Sequence, residues 1–222
     1  MDSLSKLFDG INRVKIMRLF LFNPENSYNK SDIAKKSKVS QFVAGKIIKQ
    51  IESAGMIKKK IFFKEIKQEN KKVYPVAKSK TCGTEARKQK NKKKKTNGWC
   101  LDKNFPYLNA LQNLLLSSDL LGDKQIIEKI KKTGNIKLIV LSGVFLNRME
   151  ESRVDILVVG DKINKTSLQN AMQDIESQIG KELSYAVFNT EDFSYRLDIC
   201  DKLVRDILDY PHRKILKKTS II

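Results

Sequence analysis

Between Lys71 and Lys95 the chain carries 11 Lys and Arg against one acid, Glu85. Burying that many unpaired charges costs far more than the few apolar neighbours return, so the stretch belongs on the surface as a solvated loop. The asymmetry reaches beyond this stretch. Met1 to Cys100 holds 26 basic against 8 acidic residues, whereas Leu101 to Ile222 holds 18 against 17. Setting Lys71 to Lys95 aside leaves 15 against 7 in the first segment, so a basic bias belongs to its folded part as well. Of the net charge of +19, nearly all therefore sits in one half, which is expected to face a polyanion while the other half forms a near-neutral globule. A chain of 222 residues is long enough for two such units, at about 150 residues per domain.

Several classes drop out early. A membrane span needs about 18 consecutive apolar residues, and runs such as Leu138 to Leu141 have four. Met1 to Phe8 is polar with two scattered leucines and does not read as a secretory leader. Cys82, Cys100 and Cys200 are odd in number and widely spaced, which argues for a reducing, cytoplasmic setting and against a disulfide framework or a structural zinc site. His212 is the single histidine, so no mechanism can use two imidazoles; its place beside Pro211 points to the surface.

In the basic half, Leu4, Leu7, Ile11, Val14, Met17 and Leu21 recur at steps of three and four, which predicts one amphipathic helix ending at Asn23-Pro24. Asn29, with Asp32 three residues on, caps a second helix that carries Ile33 and Ala34 inward to about Ser37. Ser40 caps a third, with Val43, Ile47 and Ile51 as its buried face and Gly55 as its left-handed stop. Met56, Ile57, Ile61, Phe62, Phe63 and Ile66 then read as a strand. Its partner is Gly98 to Leu101 or Val73 to Val76, with the lysine-rich insertion, about residues 68–97, at or near the hairpin tip. Two helices joined by a tight turn, crossed by a first, make a helix-turn-helix unit.

The segment SDIAKKSKVSQFVAGKIIKQIESAGMIKKK, Ser31 to Lys60, resembles the second and third helices and first wing strand of winged-helix transcriptional regulators. That resemblance implies double-stranded DNA as partner, and a homodimer is the expected assembly. A helix fits the major groove, and with its apolar face inward the third helix offers Ser40, Gln41, Phe42, Gly45, Lys46 and Lys49. Gln41 suits adenine, Phe42 a thymine methyl, and Lys46 and Lys49 the phosphates. Gly45 costs about 1 kcal/mol of helix propensity against alanine, which would suit close approach of backbone to DNA. The plainer reading is a solvated face with an incidental glycine. Lys92, Lys93, Lys94 and Lys95, in KQKNKKKK, would track the phosphate backbone from a flexible wing tip; a nuclear address and a solvated low-complexity insertion are the alternatives.

In the second half, Asn104 is expected to cap a helix through Leu108, Leu111, Leu114 and Leu115, and Lys124 to Lys132 forms another. Ile136 to Leu141 and Val154 to Val159 suit buried strands. Ser167 to Ile179 is helical, Leu183 to Phe188 is a third strand, and Glu191 to Leu208 adds helix, with Cys200 packed on the sheet. Trp99 and Tyr107 are expected to fill the seam between the halves.

The order helix, strand LIVLSG, short connection, strand RVDILVVG, helix, strand LSYAVF resembles the minimal nucleotidyltransferase fold over most of Asn104 to Leu208. In that family a Gly-Ser holds nucleotide phosphates, two acids separated by one residue bind metal, and a third acid follows on a later strand. Gly143 matches the glycine and Asp155 the second acid, but Val144 stands at the serine position, Arg153 at the first acid, and LSYAVF has no acid. Two-metal phosphoryl transfer needs clustered carboxylates, and Arg153 would repel Mg²⁺. The expectation is a retained fold without transfer activity, with no catalytic residue, metal or cofactor, and Asp155 as a hydrogen-bonding residue at a strand end. A sharper alternative keeps Arg153 and the Gly143 turn as binders of a nucleotide-like ligand.

Together these readings predict an α+β chain: a winged-helix DNA-binding domain over residues 1–103, followed by a small α/β nucleotidyltransferase-like domain over 104–222. Its expected role is regulation of transcription. The rivals are an active nucleotidyltransferase whose basic half holds the substrate, and a non-specific nucleic-acid or partner-binding module.

Overall fold

The computed structural model describes residues 3–65, 93–116, 121–146 and 154–218. Val73 to Val76, Lys92 and Arg153, all named above, lie outside the described residues. The described residues are mixed α+β, with two separate sheets.

The first apolar periodicity forms two helices, Ser3–Leu7 (α1) and Ile11–Phe22 (α2), rather than the single one expected. Asp9 and Gly10 take φ of 55° and 124°, and the extended positive-φ backbone of Gly10 is cheap for glycine alone. The break turns Leu7 and Ile11 outward, so both are exposed, while Leu4 and Phe8 pack on the core. Beyond it α2 is buried nearly all round, from Val14 to Leu21, because it lies between the two halves of the molecule.

Ser27–Tyr28 (β1), a strand too short to show a period in the sequence, precedes Lys30–Lys36 (α3) and Gln41–Ser53 (α4). Both expected caps form: Asn29 accepts from the Asp32 amide and Ser40 from the Val43 amide. The buried face of α4 is Ala44, Ile47, Ile48 and Ile51, with Val43 only half-buried, because α4 packs on α2 and the sheet at once. Ile57–Glu65 (β2) pairs antiparallel with Lys93–Leu101 (β3), from Ile57↔Leu101 to Glu65↔Lys93, and β1 adds to β3 in the order β1-β3-β2. Lys93, Lys94 and Lys95 are thus strand residues opposite Glu65, Lys64 and Phe63, and do not belong to a loop tip.

Leu108–Leu116 (α5) begins four residues after Asn104, which is no cap; the chain turns first, and the Asn104 amide donates to the Asp102 carboxylate. Fully buried Leu115 joins the core of α2 and α4, so α5 belongs to the first core. The second unit comprises Asp123–Lys131 (α6), Asn135–Leu141 (β4), Ile156–Asp161 (β5), Lys165–Ile179 (α7), Tyr185–Phe188 (β6), Thr190–Asp198 (α8), Lys202–Leu208 (α9) and Arg213–Lys217 (β7). Its sheet runs β6-β5-β4-β7, with β5 parallel to β6 and antiparallel to β4. Helices α6 and α7 cover one face, while α8 and α9 cover the other. The expected single tail helix splits at Cys200, whose φ of 54° reverses the chain before Asp201 caps α9. Cys200 is therefore exposed rather than packed on the sheet.

The seam between the halves is made by α2, α3 and α7, not by Trp99 and Tyr107. Trp99 is half-buried on the first core and donates to Glu52, and Tyr107 is exposed with its ring edge on Phe105. At the seam, buried Arg18 donates from Nε to the Leu115 carbonyl at 3.0 Å and from Nη1 to the Gln178 carbonyl at 3.3 Å. Asn23 donates to the carbonyls of Leu19 and Gly180. A Cβ on Gly180, which has φ of 87°, would lie 2.6 Å from the backbone of Arg18 and Leu19, so only glycine lets α7 approach α2 this closely. Across the seam Lys36 pairs with Glu182 at 2.6 Å, and Lys38, in the turn between α3 and α4, pairs with Asp174.

Candidate nucleic-acid interface

The outer face of α4 carries Gln41, Phe42, Lys46 and Lys49 in solvent, with Ser40 exposed at its start. Phe42 is 70% exposed, and one turn on, the Lys46 ammonium sits 4.5 Å from its ring centroid. A bare phenyl ring at a helix start has no folding role; the lysine on it covers one ring face and leaves the ring edge outward. Gly45 differs from expectation. The end of the Lys30 side chain would lie 2.9 Å from a Cβ there, so the missing side chain admits a third lysine to the α4 surface and the backbone is covered by it.

The β2–β3 hairpin continues this surface. Lys59, Ile61 and Phe63 alternate on one face opposite Trp99, Asn97 and Lys95, and Ile61 and Phe63 are exposed. Glu52 of α4 anchors that face: it accepts from the Trp99 indole at 3.1 Å and pairs with Lys59 at 3.2 Å. The Trp99 hydrogen bond, with help from Lys59, holds its carboxyl below the usual range. Lys64 pairs with Asp32. The first turn of α3 therefore touches both parts, Lys30 lying over Gly45 and Asp32 holding the hairpin. Lys46, Lys49, Lys60, Lys94 and Lys95 have no ion-pair partner among the described residues, so their charge is available to an outside anion.

The second set of sequence candidates comes together at the ends of β4 and β5. Gly143, with φ of 54°, opens the 3-10 turn Gly143–Leu146. Asp155 is 8% exposed, and both its carboxylate oxygens accept backbone amides: Oδ1 from Val144 at 3.1 Å and Oδ2 from Ser184 at 2.9 Å. Ser142 closes the arrangement by donating from its amide to the Asp155 carbonyl and from its hydroxyl to the Val154 carbonyl. Val144 is buried. Asp155 thus fastens the turn after β4 to the approach of β6. Among the described residues no three His, Cys, Asp or Glu side chains gather as a metal site, and no helix is long and apolar enough to cross a membrane.

Comparison with known protein families, with curated proteins and with solved structures finds no match.

Lys30, the Lys58 to Lys60 run and the Ile61/Phe63 pair are surface residues that the sequence reading passed over. The hairpin residues gave no signal of their exposure, since IKKKIFFK has no period-two alternation and its apolar residues read as inward-facing. Lys30 had none, since its place over Gly45 depends on how α3 crosses α4.

Proposed function

We propose that the protein is a DNA-binding transcriptional regulator: a winged-helix unit reads double-stranded DNA, and a nucleotidyltransferase-like unit without transfer activity serves dimerisation or ligand sensing. The observation that carries this reading is the exposed Gln41, Phe42, Lys46 and Lys49 face of α4, set beside a lysine-bearing hairpin and bridged to it by α3. In this reading α4 enters the major groove. Gln41 and Phe42 meet base edges, Lys46 and Lys49 meet phosphates, and β2 with β3 forms the wing along the backbone. The hydrogen bonding of Asp155 supports the second part: the residue is nearly buried, and each of its oxygens already accepts a backbone amide, so it has a structural task without any metal.

The test is DNA binding to a random-sequence pool, with recovery and sequencing of bound sites. A defined site should emerge, and Lys46→Ala with Lys49→Ala should weaken binding by tenfold or more, taking about 1 kcal/mol per phosphate contact. Unchanged binding in that variant would sink the reading. Label transfer from nucleoside triphosphates with Mg²⁺ that disappears in Asp155→Asn would replace it with an active transferase.

A further inference from the structure

We infer that the cleft between the two halves is a binding site for a small phosphorylated molecule, gripped by Lys35 of α3 on one side and Lys181 after α7 on the other. The cleft has a volume of about 510 Å³ and takes its walls from both halves, at the kind of junction where small-molecule sites form. Four lysines line it, Lys35, Lys36, Lys38 and Lys181, against the two carboxylates of Glu176 and Glu182.

The pairing pattern decides which charges a ligand meets. Lys36 is held by Glu182 and Lys38 by Asp174, so these two serve the seam itself. Lys35 and Lys181 have no ion-pair partner among the described residues, and each comes from a different half. Of the two carboxylates, Glu182 is taken up by Lys36, and Glu176 accepts the Leu183 amide on its Oε1 at 2.9 Å, with burial raising its pKa. Tyr28 adds a directional donor, because its hydroxyl oxygen already accepts from Asn26 at 3.2 Å and its proton is left to donate. Burial raises the Tyr28 phenol above its ordinary value, which keeps that proton in place.

Two separated ammonium groups and a hydroxyl donor suit a multiply charged group with several acceptor oxygens, which a phosphate is. A neutral ligand would leave both lysines unanswered. Such a ligand would join α3, the helix ahead of α4, to the second unit, and so act on how the two are docked. That consequence rests on the regulatory reading; the binding itself does not.

The experiment follows thermal unfolding of the full chain with adenosine 5′-monophosphate, inorganic pyrophosphate and, as the uncharged comparison, adenosine. The two phosphorylated probes should raise Tm by roughly 5–10 °C at a hundredfold excess over Kd. Lys35→Ala with Lys181→Ala should weaken that binding tenfold or more, whereas Lys46→Ala with Lys49→Ala should leave it unchanged. Lys35→Gln with Lys181→Gln keeps the side-chain stems and provides the same test if the alanine pair unfolds. No rise with either phosphorylated probe, an equal rise with adenosine, or a rise undiminished in the Lys35/Lys181 variants would overturn the proposal. Loss of the regulatory reading shows separately, as DNA binding indifferent to Lys46 and Lys49.

Discussion

Asp155 and Gly45 are the two residues whose chemistry changes most once their neighbours are known. Asp155 holds two backbone amides, so Asp155→Asn turns an accepting oxygen into an amide facing an N–H donor. One buried donor is left unsatisfied, and the variant should lose about 1–3 kcal/mol, read from the urea midpoint at unchanged m-value. Gly45→Ala should go the other way. The group in the path of a new Cβ is the flexible end of Lys30, which can swing aside, so the variant should gain up to about 1 kcal/mol of helix stability. If DNA needed bare backbone at Gly45, affinity would fall in the same variant; if Lys30 is the group that matters, it should hold within about twofold. Residue roles that depend on nearest neighbours were readable from sequence, as the Asn29 and Ser40 caps show. The role of Gly180 was not, because its requirement is set by Arg18, far away in the chain.

At the scale of elements, a cap identified α3, helical spacing α4 and α7, and apolar runs β4 and β5, whereas spacing failed at the break between α1 and α2. Leu4 to Leu21 keeps a helical rhythm through Asp9 and Gly10 although Leu7 and Ile11 face solvent, so the break is silent in the apolar pattern. Strand β3 was hidden for a different reason. Lys93 to Lys95 read as loop by composition, but β2 supplies their backbone partners, and Lys94 and Lys95 need no buried face because their side chains lie in water. This placement makes the contribution of the strand to DNA binding measurable. With Lys94 and Lys95 fixed on a hairpin rather than spread over a mobile tip, each should neutralise one phosphate. Lys94→Ala with Lys95→Ala should then reduce the slope of log affinity against log salt by about two, uniformly across DNA sequences. An unchanged slope would remove the strand from the interface.

For the whole molecule, the docking of one half on the other rests on a buried, uncharged-partner core of contacts and on a charged rim, and acid distinguishes them. The Arg18 and Asn23 hydrogen bonds go to carbonyls and do not titrate. At the rim, Asp174 is pulled below the usual carboxylate range by its hydrogen bond to Lys38, and Glu182 by its hydrogen bond to Lys36. Within the second unit Asp161 is held at about 2 by Lys137 and Thr190. A carboxyl whose folded pKa is depressed stabilises the folded state above its unfolded value, near 4, and that contribution fades as pH falls toward the folded value. Glu176, raised by burial, has the opposite sign: its contribution is full in acid and is lost as pH rises through its folded pKa. Acidification from pH 6 to pH 3 should therefore weaken the rim while partly favouring Glu176. Because the rim pairs are partly exposed, each contributes only about 0.2–1 kcal/mol, and less at high salt. Asp174→Asn with Glu182→Gln should flatten the fall of the unfolding free energy over that range by up to about 2 kcal/mol, and the flattening should shrink in 1 M salt. A pH profile identical to that of the parent chain would mean that the two rim pairs add nothing to stability, and that the halves are docked by the uncharged-partner contacts of Arg18, Asn23 and Gly180.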